Sequence, residues 1–120
     1  MHILIIEDDL LVALDVEDSL SALGSITTAL AATEENAVKS AVNRRPDLII
    51  SDVRLADGSG PAAIQRIRET VGEIPVMYVT GNPERAREDD PGAPVLPKPF
   101  DRTALVGWCR ETVLSGVSAT

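Results

Sequence analysis

Short apolar runs alternate along the chain with longer segments in which apolar residues recur every three or four positions. The runs centre on Ile3-Leu4-Ile5-Ile6, Leu48-Ile49-Ile50 and Val76-Met77-Tyr78-Val79, with shorter ones near 26–31 and 93–97. Strand-length runs separated by helix-length segments mark βα repeats around a parallel sheet. The pattern predicts strands near 2–7, 26–31, 47–52, 75–80 and 93–97.

The first helix is expected from Leu10 to Leu23, with Val12, Val16, Leu20 and Leu23 on one face, Asp9 as its cap and Gly24 as its stop. A second runs from Glu34 to Arg44, capped by Thr33 and ended ahead of Pro46. A third opens at Pro61 and carries Ile64, Ile67 and Val71 before Gly72. The last follows Asp101 as its cap, with Leu105, Cys109 and Val113 at i, i+4 spacing. The fourth is the weak one, because the segment Asn82 to Pro94 holds Pro83, Pro91 and Pro94 and almost no large apolar residue. A helix there is expected to be one or two turns, short or disordered. The fold class that follows is α/β, a flavodoxin-like doubly wound (βα)5 domain with a five-stranded parallel sheet over residues 1–115, and a flexible tail at 116–120.

A chain of 120 residues, 44% hydrophobic, fits one domain with one core and leaves no room for a second module, so a stand-alone protein is expected. Its only aromatic residues are Tyr78, Phe100 and Trp108, so Leu, Ile, Val and Ala must build the core. Net charge is −8, and the basic residues are scattered as Arg44-Arg45, Arg66/Arg68 and Arg85/Arg87, which argues against a nucleic-acid partner. No leader-like start and no membrane-length apolar run are present, and the single Cys109 has no intrachain partner; these point to a soluble, cytoplasmic protein. Cys109 and Trp108 are expected to pack on the last helix, and His2 to sit on the surface of the first strand.

The polar residues that close the apolar runs carry the chemistry. Glu7 and Asp8 follow Ile6, Asp52 ends the run after Ser51, and Lys98 follows Val95-Leu96-Pro97. In open α/β sheets the carboxyl ends of the strands converge on the crevice where ligands bind. Three like charges there raise one another's pKa unless a cation neutralises them, and hard oxygen donors with open water positions suit Mg2+ better than a Zn2+ or Ca2+ cage. A carboxylate beside a metal suits phosphoryl transfer, with Asp52 as nucleophile. Thr80, at the end of its strand, can donate a hydroxyl to a phosphoryl oxygen. Lys98, one of only two lysines with Lys39, supplies a compact positive charge.

Glu7-Asp8, Asp52, Thr80 and Lys98-Pro99, in that order and each at a strand end, resemble the receiver domain of bacterial two-component response regulators over essentially the whole chain. The resemblance implies that Asp52 accepts phosphate from a histidine kinase or phosphotransfer protein. Glu7, Asp8, Asp52 and the backbone carbonyl of Arg54 would hold Mg2+, Thr80 and Lys98 would bind phosphoryl oxygens, and Lys98-Pro99 would be cis. Self-phosphorylation and self-dephosphorylation, a role as switch or phosphate sink, and a homodimer through the last strand and helix are implied in the same way. The loop Leu55 to Gly60 matches the turn after the phosphoacceptor, with Asp57-Gly58 supplying turn chemistry.

Two features depart from the usual pattern: Val95 stands where receivers carry an aromatic three residues before the lysine, and the fourth helix is weak. Both resemble an alphaproteobacterial subgroup named for a Pro-Phe-x-Phe-Ala-Thr-Gly motif (FAT-GUY) and the receiver of general-stress anti-anti-sigma regulators. Pro75, Tyr78, Thr80 and Gly81 agree with that motif in kind, while Val76 and Val79 depart. Two other classes stay open. A pseudo-receiver would bind partners without phosphorylation. An aspartyl-phosphate phosphatase on a similar fold commonly has an acid two residues after its nucleophile, where this chain has Arg54.

Overall fold

A computed structural model describes residues 1–118, with side chains as far as Leu114. Five parallel strands, β1 (His2–Ile6), β2 (Thr27–Ala31), β3 (Leu48–Ser51), β4 (Val76–Thr80) and β5 (Val95–Pro97), form one sheet in the order β2-β1-β3-β4-β5. The helices α1 (Leu10–Leu20), α2 (Glu34–Asn43), α3 (Gly60–Val71), α4 (Pro83–Asp89) and α5 (Arg102–Ser118) alternate with the strands. The order reverses beside β1, which puts the switch point of a doubly wound sheet at the carboxyl ends of β1 and β3.

Alternation along each strand sorts the core into two layers. Leu4, Ile6, Ile49, Val76 and Tyr78 face α2, α3 and α4, packing on Ala37, Ala41, Ala63, Ile64, Ile67 and Ala86. Ile3, Ile5, Leu48, Ile50, Met77 and Val79 face α1 and α5, packing on Ala13, Val16, Leu20, Leu105 and Cys109. Cys109 is fully buried, and burial pushes its thiol up to about 11, so it serves packing. Trp108 is half-buried against the same layer.

The expected caps are present. Asp9 Oδ1 accepts from the amides of Leu11 and Val12 at 3.0 and 3.5 Å, Thr33 Oγ1 from Asn36 at 3.1 Å, and Asp101 Oδ1 from Thr103 and Ala104 at 2.8 and 3.2 Å. Two boundaries differ from expectation, the ends of α1 and α5. α1 ends at Leu20, and Ser21–Leu23 form a tighter 3-10 turn in which the Ser21 hydroxyl bonds the Asp18 carbonyl, before Gly24 at φ 89°. α4 has seven residues, the one or two turns expected of the weak segment. α5 continues to Ser118, so residues 116–118 of the expected tail are helical; 119–120 lie outside the described residues. No helix among the described residues is long and apolar enough to cross a membrane.

His2 departs from its expected place on the surface. It is buried, its ring Nδ1 lies 2.8 Å from Thr27 Oγ1, and its backbone amide donates to Asp47 Oδ2 at 2.7 Å. The edge strand β2 closes over the ring, and desolvation lowers its pKa.

Candidate functional site

Strand pairing runs just past the ends of β1 and β3 and so sets the acids side by side. The Glu7 amide donates to the Ala31 carbonyl and the Asp52 amide to the Ile6 carbonyl, both at 2.9 Å. Glu7, Asp8 and Asp52 each present a carboxylate oxygen, all within 4.8 Å of one another. Their environments differ: Glu7 is buried, Asp52 half-buried and Asp8 exposed.

On the far side, the Lys98 amide donates to the Thr80 carbonyl at 2.9 Å, continuing the β4–β5 ladder. From there the Lys98 ammonium reaches across the sheet to Glu7 Oε1 at 2.5 Å and Asp52 Oδ2 at 2.8 Å. Asp52 Oδ1 accepts from the Val53 amide at 2.6 Å. Thr80 is buried, and its hydroxyl oxygen accepts from the Asn82 amide at 3.0 Å. The Lys98-Pro99 peptide is cis.

Arg54 lies in the loop between β3 and α3, paired with Ser59 in an isolated antiparallel bridge and flanked by a 2.8 Å bond from the Gly60 amide to the Val53 carbonyl. Gly60 is required by close approach: a Cβ there would lie 1.8 Å from the Asp52 carbonyl oxygen.

The electrostatics are those of an acid pair short of positive charge. Burial, reinforced by the Asp52 charge and opposed by Lys98, pushes Glu7 up to about 7. Burial works against the Lys98 charge, yet its hydrogen bonds to Asp52 and Glu7 outweigh that and hold its pKa above the ordinary lysine value. Glu7 Oε2 is buried without a hydrogen-bond partner. A buried carboxylate oxygen with no donor is costly. An all-oxygen cluster holding such an atom, with Asp8 open to solvent, suits a hard divalent cation that keeps part of its water shell.

Sequence reading missed a second polar group, behind the site. Tyr78, on the same face of β4 as Thr80, is fully buried, and its hydroxyl donates to Asp90 Oδ2 at 2.9 Å. Asp90 closes α4 and also accepts from Arg68 of α3 at 3.2 Å. Desolvation, then the bond to Asp90, raises the Tyr78 pKa. Val95, at the position of the usual aromatic, is half-buried and lies opposite Tyr78 in the β4–β5 register. An aromatic therefore occupies this layer from β4 rather than from β5. The available signal was Tyr78 itself, a buried phenol in an apolar run, which needs a polar partner.

A cavity of about 720 Å3 at the other end of β4 and β5, lined by Arg68, Pro75, Asp90 and Trp108 among others, contains none of Glu7, Asp8, Asp52, Thr80 or Lys98.

The response regulator receiver domain model matches residues 3–109. The phyllosphere-induced regulator PhyR of Methylorubrum extorquens is 41% identical over 103 residues, which cover 82% of this chain and 38% of that protein. Among solved structures, the receiver domain of Erythrobacter litoralis PhyR superposes with a TM-score of 0.83 at 29% identity, covering 94% of this chain and 89% of that one. An anti-anti-sigma factor PhyR variant from Bartonella quintana gives 0.73 at 30% identity, covering 92% and 49%. The chain thus spans well under half the length of that curated relative. On the family model, the curated relative and the shared fold, the chain belongs to the response regulator receiver domains and is similar in particular to those of PhyR.

Proposed function

We propose that this receiver accepts a phosphoryl group on Asp52 from the phosphohistidine of a sensor kinase or phosphotransfer protein. An Asp52 carboxylate oxygen attacks phosphorus, the P–N bond breaks, and the departing imidazole nitrogen takes up a proton. Glu7, Asp8, Asp52 and the Arg54 carbonyl would hold Mg2+, which would supply positive charge beside the phosphoryl oxygens. The observation that carries this reading is the buried, unpartnered Glu7 Oε2 beside Asp52, within a cluster that Lys98 only partly neutralises.

The chain's own groups each have a task. Asp52 arrives oriented by the Val53 amide and Lys98. As phosphate builds on Asp52, the Lys98 ammonium, already within bonding distance of it, turns to a phosphoryl oxygen. The Thr80 hydroxyl, which accepts from Asn82, keeps its hydrogen to donate to another. Glu7, buried beneath the site, would remain as the anchor of the cation. Water attack on the acyl phosphate later returns Asp52 and inorganic phosphate.

The likeness to PhyR receivers supports a place in general stress signalling, in the cytoplasm, as a switch or a phosphate sink. β5 and α5 form the face through which the family resemblance would have a dimer assemble.

Incubating the protein with acetyl phosphate and Mg2+ and weighing it intact tests the reading. A single phosphoryl adduct, lost in Asp52→Asn and in the presence of a chelator, is expected. No adduct would assign the chain to the pseudo-receivers.

A further inference from the structure

Glu34, the first residue of α2, makes contacts that the helix does not need. Its amide donates to the Asp57 carbonyl at 3.1 Å, and its Oε1 accepts from the Ser59 amide at 3.2 Å. Its Oε2 accepts from Arg66 of α3 at 3.2 Å, which turns the carboxylate toward the loop. Gly58 lies directly upon it. At φ 86°, a Cβ on Gly58 would stand 2.4 Å from Glu34 Cβ and 2.6 Å from Oε1. The loop after Asp52 is therefore held at three consecutive residues, Asp57, Gly58 and Ser59, by one side chain and its backbone amide.

Ser59 is also the residue paired with Arg54 across the isolated bridge. The bond from Glu34 to Ser59 thus fixes the strand of the loop opposite the one whose carbonyl would face the cation. We propose that Glu34 is a positioning residue: by holding Ser59 it fixes the Arg54 backbone and so sets the affinity of the acidic edge for its divalent cation. This rests on the cation reading above. The acceptor atom matters here and the charge does not, because the neutral amide of glutamine retains an oxygen for the Ser59 amide whereas alanine offers none.

Mg2+ titration of the phosphate-free protein by calorimetry, with amide exchange of Ser59 in metal-free buffer, tests this without reference to phosphorylation. Glu34→Ala is expected to weaken Mg2+ binding about fivefold or more and to speed Ser59 exchange about tenfold, with β1 and β3 amides unchanged, since one lost hydrogen bond is of that size. Glu34→Gln is expected to stay within about twofold of wild type, as is Glu35→Ala, which removes an acid bonded to the same Arg66 at 3.1 Å. Gly58→Ala, made in the loop itself, is expected to repeat the Glu34→Ala loss.

Wild-type affinity in Glu34→Ala overturns the inference whatever Gly58→Ala does, as does a Glu34→Gln protein as weak as Glu34→Ala. A wild-type protein that binds no Mg2+ overturns the cation reading and this inference together. Wild-type binding unchanged in Glu34→Ala overturns this inference alone.

Discussion

Every residue of β1 and β3 is buried, whereas Val95 and Leu96 of β5 are half-buried and Pro97 is exposed. The same contrast separates the helices: α3 buries four residues on the sheet, while α4 buries only Ala86. Asp52, Glu7 and the loop after β3 are thus carried on the enclosed middle of the sheet, which β4 completes. Thr80 and Lys98 stand at the junction with an edge whose helix is short and whose inner layer is closed by a polar bond, Tyr78 to Asp90. On the proposed function, the acids that would take the phosphoryl group sit where packing holds them still, and the elements that would respond sit where little apolar surface restrains them. The two halves meet at Lys98, which grows from β5 and bonds both acids.

Removing that junction should have the largest effect. Lys98→Ala leaves Glu7 and Asp52 facing each other without an ammonium, and we expect phosphoryl uptake from acetyl phosphate to fall roughly 10- to 100-fold, the size of a lost charge-assisted bond. The rate measured by stopped-flow or timed intact mass checks it. Packing should show the contrast next. Ile50→Ala on β3 should cost about 3 kcal/mol in urea unfolding and Leu96→Ala on β5 about 1 kcal/mol. Equal costs would remove the distinction between the two regions.

The pH dependence belongs to the enclosed half. With Glu7 raised from 4.5 to about 7, the folded protein keeps a proton across that window that the unfolded chain has released. The sign follows: metal-free stability falls as pH rises from about 4.5 to 7, and Mg2+, which favours the carboxylate, offsets the fall. Thermal melts at the two ends of the window, with and without Mg2+, read this, and Glu7→Gln should flatten the slope.

The smallest effect is on the other side. Tyr78→Phe removes the hydroxyl while Arg68 still pairs with Asp90, so a loss of about 1 kcal/mol is expected, with faster amide exchange in α4 and unchanged phosphoryl uptake. Beryllofluoride with Mg2+ should slow exchange across 81–94; no change would deny that segment a part in the response.

Much of this was legible in the chain. Strands came out within two residues of their predicted limits, most sharply β1, β3 and β4, whose continuous apolar runs mark strands buried on both faces. The short α4 was legible from Pro83, Pro91 and Pro94 and the lack of an apolar face. The acids and Lys98 were legible as strand-end residues, since strand ends in a doubly wound sheet share one edge.

What escaped was contact between elements that periodicity does not join. Glu34 reads as an ordinary first-turn helix acid, and only the fold brings it under Gly58. Asp90 reads as one of a run of surface acids, yet a buried phenol claims it. His2 read as a surface residue because a polar side chain at a strand start carries no sign of the edge strand that covers it. The end of α1 was missed because Ser21 turns its hydroxyl back on the helix, a local competition that spacing does not record.

The central claim is that Asp52 is the residue that takes the phosphoryl group. Borohydride reduction after incubation with acetyl phosphate and Mg2+ converts an aspartyl phosphate to homoserine, and peptide mass spectrometry locates it. The account predicts homoserine at position 52, formed only with the cation present; reduction at another acid, or at none, would contradict it.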